Sequence, residues 1–200
     1  MAKKAKAARK SAKKSATKSA AKSNGRAKPM DAIQLLKSDH RTVEGLFEEF
    51  ESTNGPKSKQ RIANQICMEL IVHAQIEEEI FYPAIKQKVE EEIYTEAHVE
   101  HDGAKMLIAE ILDGDPEDEF YDANVKVLSE MIKHHVKEEE QRDGMFAQAK
   151  QGEVDLVALG EQLAARKMDL TNLYKRTGLP RPMTRTMKRM PKVELGQPIA

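Results

Sequence analysis

Cysteine is nearly absent from this 200-residue chain, with Cys67 its one example. That excludes an internal disulfide framework and fits a reducing compartment. Tryptophan is missing and aromatics make up 4% of the residues. Threonine is also scarce and apolar residues do not alternate, so no strand pattern arises. No run of about 18 apolar residues occurs, and nothing is expected to span a membrane. The N-terminus lacks the apolar segment of a secretory signal, so a soluble, cytoplasmic protein is expected. Cys67 lies in the apolar run around Ile66 and Leu70, where a small buried core residue is the expectation.

Acid is missing from the first 29 residues, which hold 11 Lys/Arg and almost no large apolar side chain after Met1. Such a segment buries too little surface to offset the entropy of ordering, so 1–29 is expected to be a disordered basic tail. It resembles the tails of histone H1-like proteins. Lys3, Lys4, Lys6, Arg9, Lys10, Lys13, Lys14 and Lys18 are its candidate nucleic-acid contacts. Binding through them would be non-specific and salt-sensitive, without base stacking, because no aromatic interleaves the lysines. The formal net charge of zero hides this segregation, since residues 30–170 carry 17 more acids than bases. The tail could therefore equally dock on the acidic body.

What is present is helical. Four segments place apolar or His residues at alternating spacings of three and four. They run from Ile33 to Phe50, Ile62 to Ala84, Tyr94 to Ile111 and Val125 to Glu139. "STNGPKS" and "DGDPED" punctuate them, while the boundary near "PAIKQKVEEE" is softer. Short connections predict an all-α, up-down-up-down four-helix bundle over 30–150. A further helix is expected within 151–173, followed by a basic arm containing Pro and Met over 174–200. Met183, Met187 and Met190 are candidates for docking on the body or on a partner.

Each seam carries polar residues where packing favours Leu or Ile: His40, then His73 and Glu77, then His101, then His135 and Glu139. An i, i+4 pair lies on one helix face, so these side chains can converge on one interior point. Burying four imidazoles and two carboxylates without partners would cost several kcal/mol; a metal ion removes the difficulty. The spacing repeats, 33 residues from His40 to His73 and 34 from His101 to His135. That predicts a pseudo-twofold site in which each helix pair gives two His and one Glu. Mixed N/O ligation suits iron or manganese, two carboxylates can bridge a pair of ions, and Zn is the chemical alternative. His134 lies about 100° round its helix from His135, a rim position. His98 lies about 60° off its seam and is an extra ligand, a partner of a ligand, or a rim residue. Glu78, Glu79, Glu138 and Glu140 read as a solvated face or as acceptors behind the ligands, and an adjacent Glu such as Glu78 could enter the site.

The stretches "LLKSDHRTVEGLFEEF", "HAQIEEEIFYP", "EHDGAKMLIAEIL" and "HHVKEEE" resemble the hemerythrin-like HHE cation-binding family. The resemblance implies a four-helix bundle holding two non-haem iron ions on His40, His73, Glu77, His101, His135 and Glu139. Oxygen-carrying hemerythrins have a His four residues after the third-helix His and end the fourth motif with Asp. Here Lys105 and Glu139 stand instead, which looks more like the HHE subset that includes the domain of an iron-sensing F-box protein. "IFYP" of the first motif also becomes "MFAQ", with Ala147 where Pro is expected, so the fourth helix is expected to end differently. Ferritin-like proteins use Glu-x-x-His, an order missing here. The implied function is binding of O2 or NO, or sensing of iron or redox state, without catalysis. The competing readings are a diiron oxidoreductase acting on peroxide, NO or ferrous iron, and a DNA-tethered protein of the oxidative stress response.

Overall fold

The computed structural model describes residues 30–189, and the basic-tail expectation over 1–29 lies outside them, as does Met190. Among the described residues eight α-helices follow in order: α1 Ala32–Ser52, α2 Pro56–Ile76, α3 Tyr82–Ile85, α4 Glu91–Asp113, α5 Tyr121–Glu140, α6 Met145–Gln151, α7 Leu156–Thr177 and α8 Arg185–Arg189. No strand occurs among the described residues. A π-helical turn, Glu77–Phe81, joins α2 to α3 as one continuous rod. Pro83 explains the irregularity, because it has no N–H to return to the preceding turn. The bond that closes the turn runs instead from the Tyr82 N–H to the Glu77 carbonyl.

Local signals start the helices. Asp31 caps α1 in a reciprocal box, its carboxylate accepting from the Gln34 N–H at 2.9 Å while the Gln34 side chain accepts from the Asp31 N–H at 3.2 Å. Pro56 occupies the first turn of α2, and Asp155 caps α7.

The core falls into two apolar clusters, one on each side of a polar layer. One contains Val43, Phe47, Ile66, Leu70, Ile108, Leu128, Ile132 and Val136. The other contains Ile33, Leu36, Val72, Ile76, Phe81, Tyr82, Ala97 and Phe146. Along α1 the chain passes from the second cluster through His40 to the first. Along α2 it passes from the first through His73 to the second, and along α4 from the second through His101 to the first; α5 lines the first cluster up to His135 and Val136, and α6 then supplies Met145 and Phe146 to the second. That alternation is the up-down-up-down arrangement, and α1 packs on α2, α2 on α4, α4 on α5 and α5 on α1. The additional helix α7 packs against α1, α2 and the π turn. Gly160 lets it approach, since a Cβ there would meet the Met30 carbonyl oxygen at 2.4 Å. Cys67 is fully buried in the first cluster, and burial pushes its thiol up to about 12.

Candidate metal centre

The structure brings His40, His73, Glu77, His101, His135 and Glu139 together in that polar layer, all buried. They form two histidine pairs. Nε2 of His40 lies 3.1 Å from Nε2 of His73, and Nε2 of His101 lies 3.2 Å from Nε2 of His135. The carboxylates link the pairs. Glu77 Oε2 is 3.2 Å from His73 Nε2 and 3.4 Å from His101 Nε2. Glu139 Oε2 is 3.5 Å from His40 Nε2 and 3.8 Å from His135 Nε2. Each carboxylate thus touches one imidazole of each pair, in a pseudo-twofold pattern.

The outer ring nitrogens all face carboxylates. His40 Nδ1 meets Glu140 at 2.8 Å, His101 Nδ1 meets Glu78 at 3.1 Å, and His135 Nδ1 meets Glu100 at 2.8 Å. His73 Nδ1 faces Asp39 in a longer contact of 3.5 Å. A carboxylate can only accept, so in a neutral imidazole it fixes the proton on Nδ1 and leaves the Nε2 lone pair aimed inward. Burial, with the field of neighbouring imidazoles, depresses His40 to about 3; burial likewise takes His101 to about 3. Both are therefore neutral near pH 7, and each has a facing imidazole nitrogen about 3 Å away; although burial pulls His135 down, Glu139 and Glu100 hold that imidazole above its ordinary value. At a metal–nitrogen distance of about 2.1 Å, two ligands at right angles on one ion would be about 3.0 Å apart.

The carboxylates make the same demand. Both oxygens of Glu77 and Oε2 of Glu139 are buried with no hydrogen-bond partner. Burial first, then the charge of Glu139, holds the Glu77 carboxyl well above the ordinary range, and burial raises Glu139 as well. Their ionised forms need a cation, and the donor set fits one or more metal ions.

Cations on the bundle's outer side steady the acceptors. Lys105 pairs with Glu78, Lys167 of α7 donates to Asp39 at 2.6 Å, and Arg41 and Lys37 hold Glu140 at 2.5 and 3.0 Å. Although burial pushes Glu78 up, His101 and Lys105 outweigh it and hold the carboxyl at about 2. The lysine standing where oxygen carriers have a histidine thus serves the acceptor behind His101.

His134 is exposed at the rim, 3.1 Å from Glu138 and 3.4 Å from Glu100. His98 does not reach the ligand layer; its ring packs edge-on against Tyr82 and Tyr94 at 5.1 and 4.8 Å between centroids. Three residues at the site escaped sequence reasoning. Asp39 and Glu100 each immediately precede a seam histidine, a doubled signal in "DH" and "EH". Tyr82, fully buried, donates to Glu139 Oε1 at 3.1 Å and lies 3.3 Å from His101 Nε2. The fourth helix ends at Glu140 and the "MFAQ" segment starts the separate helix α6, where Phe146 stacks on His40 at 5.8 Å.

Comparison with known proteins agrees with this layout. Residues 31–147 match the family described as the hemerythrin HHE cation binding domain. The crystal structure of a hemerythrin HHE cation binding domain-containing protein from Mycobacterium kansasii is similar, with a TM-score of 0.63 and 26% identity over 74% of this chain and 94% of that one. A curated relative named "DNA nickase" from Nostoc sp. is 30% identical over 111 residues, 56% of this chain and 32% of the relative. The chain thus spans about a third of that relative's length. The buried His/Glu clusters and the family match together support metal-ion binding.

Proposed function

The chain belongs to the hemerythrin HHE cation binding domain family, and from that premise we propose that it holds two non-haem iron ions and uses them to bind O2 or NO, or to sense iron or redox state. One observation carries the count of two: each buried carboxylate lies within 3.8 Å of an imidazole from both histidine pairs. A single ion would leave one of the two histidine pairs without an ion between its facing nitrogens. His40 and His73 would hold one ion and His101 and His135 the other, with Glu77 and Glu139 between them. Bound iron would supply open coordination positions and a redox couple suited to a diatomic. The chain's own contribution is to fix the imidazole tautomers through Asp39, Glu78, Glu100 and Glu140 and to hold the ligand layer between the two apolar clusters. Freshly purified protein should contain about two irons per chain with visible charge-transfer absorption that changes on exposure to NO. Zinc or manganese in the same stoichiometry would retain the two-ion site and reject iron. One ion or none would overturn the reading.

Tyr82 favours a second reading, an oxidoreductase acting on peroxide, NO or ferrous iron. Its phenol is held in its protonated form by burial and by the charges of Glu139 and Glu77. It therefore stands as a hydrogen-bond donor inside the ligand layer. Multiple turnover of peroxide or NO in stopped flow would favour this reading, and a single binding phase would favour the carrier or sensor. The relative's name and the 1–29 sequence support a further proposal, non-specific DNA contact through Lys3, Lys4, Lys6, Arg9, Lys10, Lys13, Lys14 and Lys18 in a cytoplasmic protein. DNA retardation that survives deletion of 1–29 would refute it. No described helix is long and apolar enough to cross a membrane.

A further inference from the structure

A cavity of about 390 Å³ lies inside the bundle, against the metal-facing layer. Its inner end is formed by His40, His73, His101 and His135. Its walls are apolar: Val43, Leu70, Ala104, Ile108, Ile132 and Val136 come from four different helices. The segment after α7 forms the outer wall with Pro180, Pro182 and Met183. That segment is tied across the α2–α4 side. Tyr174 donates to the Gln75 side chain of α2 at 2.5 Å, and Arg185 bonds Asp102 of α4 through its backbone N–H at 3.0 Å and Nε at 2.7 Å.

The size is wrong for a diatomic alone. At about 30 Å³ per water-sized group the space admits at least a dozen non-hydrogen atoms. Its volume falls within the roughly 300–1,000 Å³ range of small-molecule sites, and its lining matches their mostly apolar character. The charge pattern narrows the class. Lys105 is paired with Glu78 and Arg181 with Asp113 at 3.0 Å, so neither lining cation is left over for an anionic ligand. The lining acids are matched in turn, Glu78 by Lys105, Glu79 by Arg166 and Asp39 by Lys167, so a cationic ligand finds no surplus charge either.

We propose that this cavity binds an uncharged, largely aliphatic organic molecule of about a dozen non-hydrogen atoms, with one end against the histidine layer. The site needs only the bundle and the 178–187 segment, so it stands whether or not iron is the metal.

A series of n-alkanols from hexanol to tetradecanol, titrated calorimetrically into the full-length protein, tests it. Affinity should rise about fourfold per added methylene, then level off near ten to twelve carbons when the cavity is full. Ala104→Leu, which fills the wall, should move the levelling point to shorter chains. Ile108→Ala, which enlarges it, should move that point to longer ones. The opposed directions separate cavity occupancy from damage to the fold. Absence of saturable binding, or a levelling point unmoved by both variants, would overturn the proposal. So would decanol binding that appears only after residues 190–200 are removed, since the chain's own end would then be the occupant. Metal analysis of the same samples reads the two-iron reading separately: alkanol binding with no iron would sink that reading alone, and iron without alkanol binding would sink this one alone.

Discussion

Replacing Glu77 by Gln should make the metal-free protein more stable and the metal-loaded protein less so. Glu77 is fully buried, neither of its oxygens has a hydrogen-bond partner, and burial with the charge of Glu139 raises its pKa in the fold. In the unfolded chain its carboxyl ionises near the usual 4.3. Above that pH the metal-free folded state retains a proton that the unfolded state has released, so stability falls as pH rises toward the folded pKa. The slope is about 1.4 kcal/mol per pH unit. Glutamine has nearly the same shape and no proton at stake. Metal-free Glu77→Gln should therefore match the wild type near pH 4.3 and then exceed it by a margin that widens with pH.

Metal reverses the order. A ligand at a hundredfold excess over its Kd stabilises the folded state by about 2.7 kcal/mol. For a chain of this size that is a melting shift of roughly 5–11 °C. A neutral amide between the two histidine pairs cannot compensate the ions' charge, so most of that shift should vanish in the variant. The assay is a set of thermal melts at pH 5, 6 and 7, each with chelator-treated and iron-loaded protein. If the metal-free variant melts below the metal-free wild type at every pH, the electrostatic account of the ligand layer is wrong. If both proteins gain equally from iron, Glu77 is not a ligand.

Four further perturbations probe what surrounds the ligands. Tyr82→Phe removes the donor 3.1 Å from Glu139; it should cost about 1–2 kcal/mol in melts while the iron content stays unchanged. Glu100→Gln keeps an acceptor for His135 Nδ1 but removes its charge, and metal retention against a chelator should fall roughly 10- to 100-fold. His134→Ala, at the exposed rim, should leave that retention unaltered. Gly144→Ala would place a Cβ 2.1 Å from the Glu138 carbonyl oxygen and 3.0 Å from that of Glu139. The end of α5 must shift, with a loss of about 1–3 kcal/mol and reduced iron content; full stability with full iron would contradict the packing described.

The bundle was legible because its evidence is periodic. Apolar residues recur at the helical interval on four segments, and the six ligand candidates stand out because each occupies a position that packing would give to Leu or Ile. The π turn was not legible from periodicity, since one irregular turn barely disturbs a seam. Its cause was visible in Pro83, six residues after Glu77, but a lone proline in a helical pattern reads equally as a helix end. Tyr82 depended on that turn for its direction, and so stayed hidden with it. The cavity was beyond sequence reasoning for a different reason. Its walls are ordinary core residues, and whether they meet or stand apart is decided by packing between helices.

Asp39, Glu78, Glu100 and Glu140 lie between these cases. Each is one residue from a seam position, an acid before His40 and His101 and an acid after Glu77 and Glu139. One residue along a helix is a rotation of about 100°, so when the ligand faces the bundle axis its neighbour faces an adjoining helix. The imidazoles that point inward through Nε2 direct Nδ1 outward along the same helix interfaces. Hence Asp39 of α1 faces His73 of α2 and Glu100 of α4 faces His135 of α5, while Glu78 of the π turn meets His101 of α4 and Glu140 of α5 meets His40 of α1. The flanking acids are therefore spaced by the same repeat as the ligands. A search for ligand positions alone dismisses them as solvated surface. A search that asks what must hold each Nδ1 finds them one residue away on the neighbouring helix.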